Sequence, residues 1–214
     1  DFSPAGLAAH KAAFRLAVER GLAKAGNLTP LRTLLAEDYP DAVDGLLKAL
    51  INGVARGQSP IQTAREMKDG MAGGLQRALV IARTETARAY RMASTEQYRQ
   101  SGVVKGFRRL VFRQTACMAC LMLDGELFDV ASEMDDHPNG KCCAIPMVRG
   151  VDDPTWETGA QWFQTLTADE QREKLGPEKY AAWKEGAFKL SNLGAKQHND
   201  TWGSSPRVPS LAEL

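Results

Sequence analysis

The sequence lacks an excess of charge of either sign, a long apolar run, and any cysteine outside one short segment. Its 27 basic and 26 acidic residues leave a formal net charge of +1, so charge alone gives no attraction to nucleic acid or to a membrane surface. No apolar stretch approaches the ~20 residues that a membrane helix needs. We therefore expect neither a membrane nor a small-molecule substrate among the partners of this chain.

All four cysteines are gathered in that short segment. Cys117-x-x-Cys120 comes first, and after a gap His137 and Cys142 follow as H-x-x-x-x-C. A disulfide-stabilised fold spreads its cysteines, whereas a metal site gathers thiolates from one tight turn and completes its tetrahedron from a second segment. The spacing predicts a zinc ion on these four residues, with the adjacent Cys143 as the alternative fourth ligand.

Two other interpretations of the cysteines remain open at this stage. A pair such as Cys120 and Cys142 could form a disulfide, or the thiols could be small buried side chains without a metal. If zinc is bound, four protein ligands fill its coordination and make the ion structural, because a catalytic zinc keeps one position open. Asn139 also stands where zinc deaminases carry the glutamate of their H-x-E motif. We therefore predict no enzymatic activity.

Helical and strand patterns predict an α+β, mainly helical protein. We expect a long central helix, a small β module held by zinc, and C-terminal helices. The predicted regions are an N-terminal helical region (1–57), a long helical segment (58–102), a small β-rich zinc module (103–150), C-terminal helices (151–196) and an extended tail (197–214). The tail is polar and is expected to be extended or partly disordered unless a partner orders it.

Within these regions, the longest helix is expected over Leu75–Gln100, with a stripe of small residues suited to close helix packing. Strands are expected around Phe107–Phe112 and over Ala144–Val148. Asp124-Gly125 is typical of a hairpin turn between two short strands. A sheet this small buries little apolar surface by itself, which is where a structural ion contributes most.

Several motifs occur in the order found in one known family. They are Ala82–Ala87 with Tyr98 and Gly102, then Cys117-x-x-Cys120, Leu123–Gly125 and His137–Asn139, and finally Trp162-Phe163, Gln171, Leu175-Gly176 and Trp183-x-x-Gly186. This series resembles the phage Mu F-like, or SPP1 gene-7-like, head-morphogenesis (minor capsid) family over about residues 50–195. Relatives often have H-P-N-C-R-C; here Gly140 replaces the first of those cysteines and Cys142 keeps the second. The resemblance therefore favours Cys142 as the ligand.

The resemblance implies a virion component without catalytic residues. Such proteins associate with portal and capsid proteins inside the phage head, and they are assembled in the host cytoplasm. The expected function is a minor capsid or head-morphogenesis protein that acts during assembly and DNA packaging. One alternative is a DNA-binding protein that is retained or ejected with the genome. A second alternative, a metal-dependent nuclease or hydrolase, has only the His198-Asn199-Asp200 sequence in its favour.

Some side chains outside the cysteine segment are candidate contacts for DNA or a protein partner. The most basic local cluster could meet DNA phosphates non-specifically, although a charged strand edge is the simpler interpretation; its members are Lys105, Arg108, Arg109 and Arg113. Trp202, in the polar tail, is a candidate anchor into a partner. Arg83 and Glu85 form either a buried polar contact or a solvated charge pair.

Overall fold

A computed structural model describes residues 43–68, 74–199 and 203–214 of the chain. The part of the predicted N-terminal helical region before residue 43, the glycine-rich residues 70–73 and Trp202 lie outside the described residues. Within them the protein is α+β, as predicted, with seven α-helices and two small antiparallel sheets. Every helix in this described part is too short or too polar to cross a bilayer.

The α-helices are α1 (Val43–Ala55), α2 (Pro60–Met67), α3 (Gly74–Ser101), α4 (Met118–Met122), α5 (Gly159–Thr165), α6 (Ala168–Leu175) and α7 (Pro177–Lys184). The strands are β1 (Val104–Leu110), β2 (Leu127–Asp129), β3 (Cys143–Val148), β4 (Ala195–Asn199) and β5 (Gly203–Arg207). Two 3-10 turns cover Leu190–Leu193 and Leu211–Glu213.

The chain forms two compact units. The first takes the residues up to Gln97 together with Pro138–Gly140 and Asn199–Gly203. The second takes Tyr98–His137, Lys141–His198 and Ser204–Leu214. All candidate metal ligands therefore belong to the second unit.

The core of the first unit is a helical cluster built from α1, α2 and α3. Larger side chains come from α1 and α2, and small ones from α3; the buried members are Leu46, Leu50, Val54, Ala64, Met67, Ala78, Ile81, Ala82, Ala89 and Ala93. The predicted small-residue stripe on the long helix is thus confirmed at Ala82, Ala89 and Ala93. Helix α1 also approaches α2 closely at Gly53. A Cβ atom at this position would collide with the side chain of Thr63, so the close approach requires glycine.

The second unit is organised around a three-stranded antiparallel sheet in the order β2-β1-β3. Phe107 on β1 pairs with Phe128 on β2, and their rings stack with centroids 5.0 Å apart. β1 is irregular between Val104 and Gly106, and a Cβ at Gly106 would lie 2.6 Å from the carbonyl oxygen of Phe128. The β-rich module predicted from the sequence is present, with β3 close to its expected bounds.

The predicted hairpin at Asp124-Gly125 is wrong. The residues before this turn form helix α4, and the residues after it form β2, which pairs with β1 and not with residues 121–123. The turn itself fits the prediction, since Gly125 has φ +88°. Cys117 caps α4, and this helix takes up Leu121 and Met122, which were expected to be in the first strand of the hairpin.

A second apolar cluster joins α4 to the C-terminal helices. Its fully or largely buried members are Val111, Met118, Cys120, Leu121, Cys142, Phe163, Leu175, Tyr180, Phe188, Leu190 and Leu193. Trp162 and Trp183 are partly buried and pack against it. Capping boxes at Thr158 and Thr167 start α5 and α6.

The described part of the C-terminal tail contains extended strands, as expected, and it packs on residues of this same chain, whereas the sequence predicted that only a partner would order it. β4 pairs with β5, and Ser205 is buried. Val208 and Leu214 pack against the second apolar cluster. Apolar positions spaced through a polar stretch do not form a periodic pattern, so periodicity did not reveal this packing.

Replacing Phe163 by alanine tests the position of this core. Phe163 is fully buried, and the substitution should lower the free energy of unfolding by about 3–5 kcal/mol through lost burial and a new cavity. Phe112→Ala is the matched control, since Phe112 is 60% exposed and its loss should cost less than about 1 kcal/mol. Urea denaturation measures both values, and equal losses would contradict the described core.

Candidate metal centre

The first half of the candidate site is a capped helix start. Cys117 has extended backbone angles (φ −70°, ψ 162°), and its Sγ accepts a hydrogen bond from the backbone N–H of Cys120 at 3.5 Å. One turn of α4 thus carries both sulfurs of the C-x-x-C motif to the same side. Cys120 is buried, whereas Cys117 is half-buried.

The second half is the segment that leads into β3, and Asp136 organises it. The Oδ1 atom of Asp136 accepts the N–H of His137 at 2.9 Å, and its Oδ2 atom accepts the N–H of Cys142 at 3.3 Å. Asn139, at the tip, has φ +61°. The result is a closed loop whose two ends hold His137 and Cys142.

The two halves meet in two overlapping groups of donor atoms. Cys117, Cys120 and His137 form one group, and Cys120, Asp136 and Cys142 form the other; within each group all donor atoms lie within 4.8 Å of one another. The Sγ of Cys117 is 3.5 Å from Nε2 of His137. In a tetrahedral zinc site, bonds of 2.0–2.3 Å put neighbouring donors roughly 3.3–3.8 Å apart. Each group by itself has the donor types and the close approach that a metal ion needs. The structure does not bring the four predicted ligands into a single group, because Cys142 is grouped with Cys120 and Asp136 and not with Cys117 and His137.

The three thiols interact, with Cys120 in contact with both of the others. Hydrogen bonding with the Cys120 thiol lowers the pKa of Cys117 to about 4, with a further contribution from His137. Contact with Cys120 also lowers the pKa of Cys142, and the pKa of Cys120 itself is raised by its contacts with Cys117 and Cys142. A lowered pKa favours the thiolate, the form that binds metals.

Arg109 supplies positive charge beside the sulfurs, and sequence reasoning missed this role. Its guanidinium is 0% exposed and lies in hydrogen-bonding contact with the side chain of Cys142. It also forms ion pairs with Glu126 at 3.2 Å and with Asp135 at 2.8 Å. Lys196 of β4 contacts both of these carboxylates, at 3.4 and 3.5 Å. Since β1 alternates inward and outward residues, the inward position of Phe107 could have indicated an inward Arg109.

The basic cluster does not form an open patch. Arg109 is in the interior and has no surface left for DNA. Arg113 is paired with Asp124 at 2.8 Å and with Glu157 at 2.6 Å, and Lys105 is paired with Asp153 at 3.0 Å.

Arg108 is held in place by neighbours of its own. Its guanidinium lies over the ring of Trp156, 5.2 Å from the centroid, and donates to the carbonyl oxygen of Gly125 at 3.3 Å. Each member of the cluster is therefore engaged by acidic, carbonyl or aromatic groups of the same unit.

The fourth cysteine, Cys143, is in neither group of donor atoms. Its Sγ lies 3.6 Å from the carbonyl oxygen of Lys141, and its backbone is opposite Leu110, a partly exposed residue of β1. All four cysteines are free thiols in the structure, so no disulfide joins Cys120 to Cys142.

Glu85 and Arg83 have different surroundings in the first unit. Glu85 is 1% exposed and forms an ion pair with Arg88 at 2.9 Å, and burial raises the pKa of Glu85. Arg83 is exposed. The side chain of His198 on β4 meets Ser204, with Nδ1 3.3 Å from Oγ, and is exposed. Of the described residues that could hold a metal, His198 is in neither group.

Residues 44–145 match a family model described as Phage Mu protein F like protein. This segment belongs to the phage Mu F-like family. The match contains all the candidate ligands, the whole of α3, β1 and β2, and the first half of β3, and it confirms the predicted family. It ends before the C-terminal helices, where the last motifs of the resemblance lie. Comparisons with curated proteins and with solved structures give no match.

Removing the charge of Arg109 tests the buried network around the sulfurs. Arg109→Met should lower the free energy of unfolding by about 3–5 kcal/mol, because it leaves Glu126 and Asp135 without their buried cation. Lys105→Met is the control, since it breaks only an exposed ion pair and should cost less than about 1 kcal/mol. Chemical denaturation distinguishes the two, and a small effect at Arg109 would contradict the described network.

Proposed function

We propose that this chain is a non-catalytic minor capsid protein of a tailed phage, which contributes to head assembly through a β module held together by a structural zinc ion. Membership of a phage head-morphogenesis family carries the assembly role. The convergence of the C-x-x-C turn and the Asp136–Cys142 loop carries the zinc assignment.

The donor chemistry supports a structural ion. Three sulfurs and one imidazole would fill a tetrahedron and leave no position for a reacting water, and zinc favours such ligands. We assign the fourth position to Cys142, because it is buried and belongs to a donor group with Cys120, whereas Cys143 belongs to neither group. When bound, the ion supplies cross-linking between two distant chain segments and no chemistry.

The assembly role implies protein partners, for which portal and inner capsid proteins are the proposed candidates. The alternative of a genome-binding protein has less support, because the basic residues that would contact phosphates are engaged by acidic groups within the second unit. Non-specific DNA binding depends on lysine and arginine side chains that remain available to phosphates.

Replacing Cys117 tests the metal assignment. The purified protein should contain one zinc ion per chain, and Cys117→Ser should release it and unfold the β module at a cost of several kcal/mol. Elemental analysis gives the metal content, and circular dichroism with and without a chelator gives the stability.

Cys143→Ser is the matched control for that substitution. It removes a thiol one residue from a proposed ligand and should leave both the zinc content and the stability unchanged. If Cys117→Ser keeps its zinc, or if Cys143→Ser loses it, the proposed ligand set is wrong.

The assembly role is tested by interaction with the portal protein of the same phage. We expect the full chain to bind isolated portal protein in a pull-down and to be present in purified heads. DNA retention should be weak at moderate ionic strength. Strong, salt-sensitive binding to DNA together with no binding to portal would instead support the genome-binding alternative.

A further inference from the structure

Asp136 lies within the proposed zinc centre without being one of its proposed ligands. It is 7% exposed, and its Oδ1 is 4.0 Å from the Sγ of Cys120. The spacing of cysteines and histidine gave no reason to consider it. Its position immediately before His137 nevertheless makes it either a competing oxygen ligand or a residue that acts through the ligands.

The hydrogen bonds of Asp136 distinguish these two roles. Each carboxylate oxygen accepts a backbone N–H of a residue that carries a proposed ligand, one from His137 and the other from Cys142. The two N–H groups are separated by the whole loop, so a single carboxylate closes the loop on itself. An oxygen ligand would also have to compete with the third sulfur, which is already in contact with Cys120.

We propose that Asp136 is a positioning residue of the metal centre, whose carboxylate closes the loop so that His137 and Cys142 both face the C-x-x-C thiols. This inference rests on the proposed zinc centre. It assigns to Asp136 a function in metal affinity that depends on two hydrogen bonds to the backbone and on no bond to the ion.

The chemistry of the side chain explains why aspartate is required for this role. Both carboxylate oxygens are acceptors, so both backbone N–H groups can be satisfied at once. An asparagine offers one oxygen and one NH₂ group, which would place a donor against one of the two N–H groups. A glutamate keeps both acceptors but is one methylene longer, which displaces them from the two amides.

The test compares metal affinity in full-length wild type and Asp136→Asn. Competition with a chelator should show that Asp136→Asn binds zinc about 10- to 100-fold more weakly, as is usual when a group that orients metal ligands is lost. At saturation with Co²⁺, the sulfur-to-cobalt charge-transfer band should keep its wild-type intensity, because all three thiolates still bind. Cys142→Ser should reduce that band.

Asp124→Asn is the matched control. Asp124 is also a buried carboxylate of the second unit that accepts a backbone N–H, from Val111 at 3.2 Å, but its turn carries no proposed ligand. This variant should lose stability without a change in zinc affinity. If Asp136→Asn does not fold, Asp136→Glu replaces it and should show the same weakening.

The outcomes separate the inference from the proposed zinc centre. If the wild-type protein binds no metal, the zinc centre itself is wrong. If the wild type binds zinc and both Asp136 variants that fold bind it equally well, only the positioning role is wrong. If the Co²⁺ ligand-field bands of Asp136→Asn change at saturation while the sulfur band stays constant, Asp136 is a ligand and the positioning role is overturned.

Discussion

The second unit depends on contact between sulfur atoms from two chain segments that are far apart in sequence. Its main sheet has only three strands, one of which spans three residues, so main-chain pairing alone gives it little stability. The thiols of Cys117, Cys120 and Cys142 meet at the place where α4 and the start of β3 approach each other. A metal ion at this point would replace weak sulfur hydrogen bonds by coordination bonds. The neighbouring loops would then serve to hold the sulfurs in position around the ion.

Buried charge surrounds this contact and limits how the sulfurs can be used. The guanidinium of Arg109 contacts Cys142 within a network that reaches the C-terminal hairpin through Lys196, and the carboxylate of Asp136 accepts the N–H of Cys142. The two charges act on the Cys142 sulfur in opposite directions: the guanidinium lowers the pKa of Cys142 and the carboxylate raises it.

The sequence predicted the features that depend on local rules. The spacing of small residues identified the buried face of α3, and the gathered cysteines indicated the segment of the candidate metal centre. The sequence did not predict helix α4, because its five apolar or small residues, Met118–Met122, have no distinct period. It also did not reveal the inward direction of Arg109 or the bonds of Asp136. Both depend on strand register and on a loop closure between residues that no short motif connects.

The close packing of the backbone at Gly106 restricts which residue can occupy this position. Here β1 passes so close to the carbonyl of Phe128 that no side chain fits. A substitution of Gly106 by any other residue would push β2 away from β1. Strand β2 begins next to Glu126, which forms an ion pair with the buried guanidinium of Arg109. Among members of this family, a glycine is therefore expected at this position in addition to the cysteines and the histidine. It touches no candidate ligand, and steric exclusion by the carbonyl of Phe128 would be the reason for its presence.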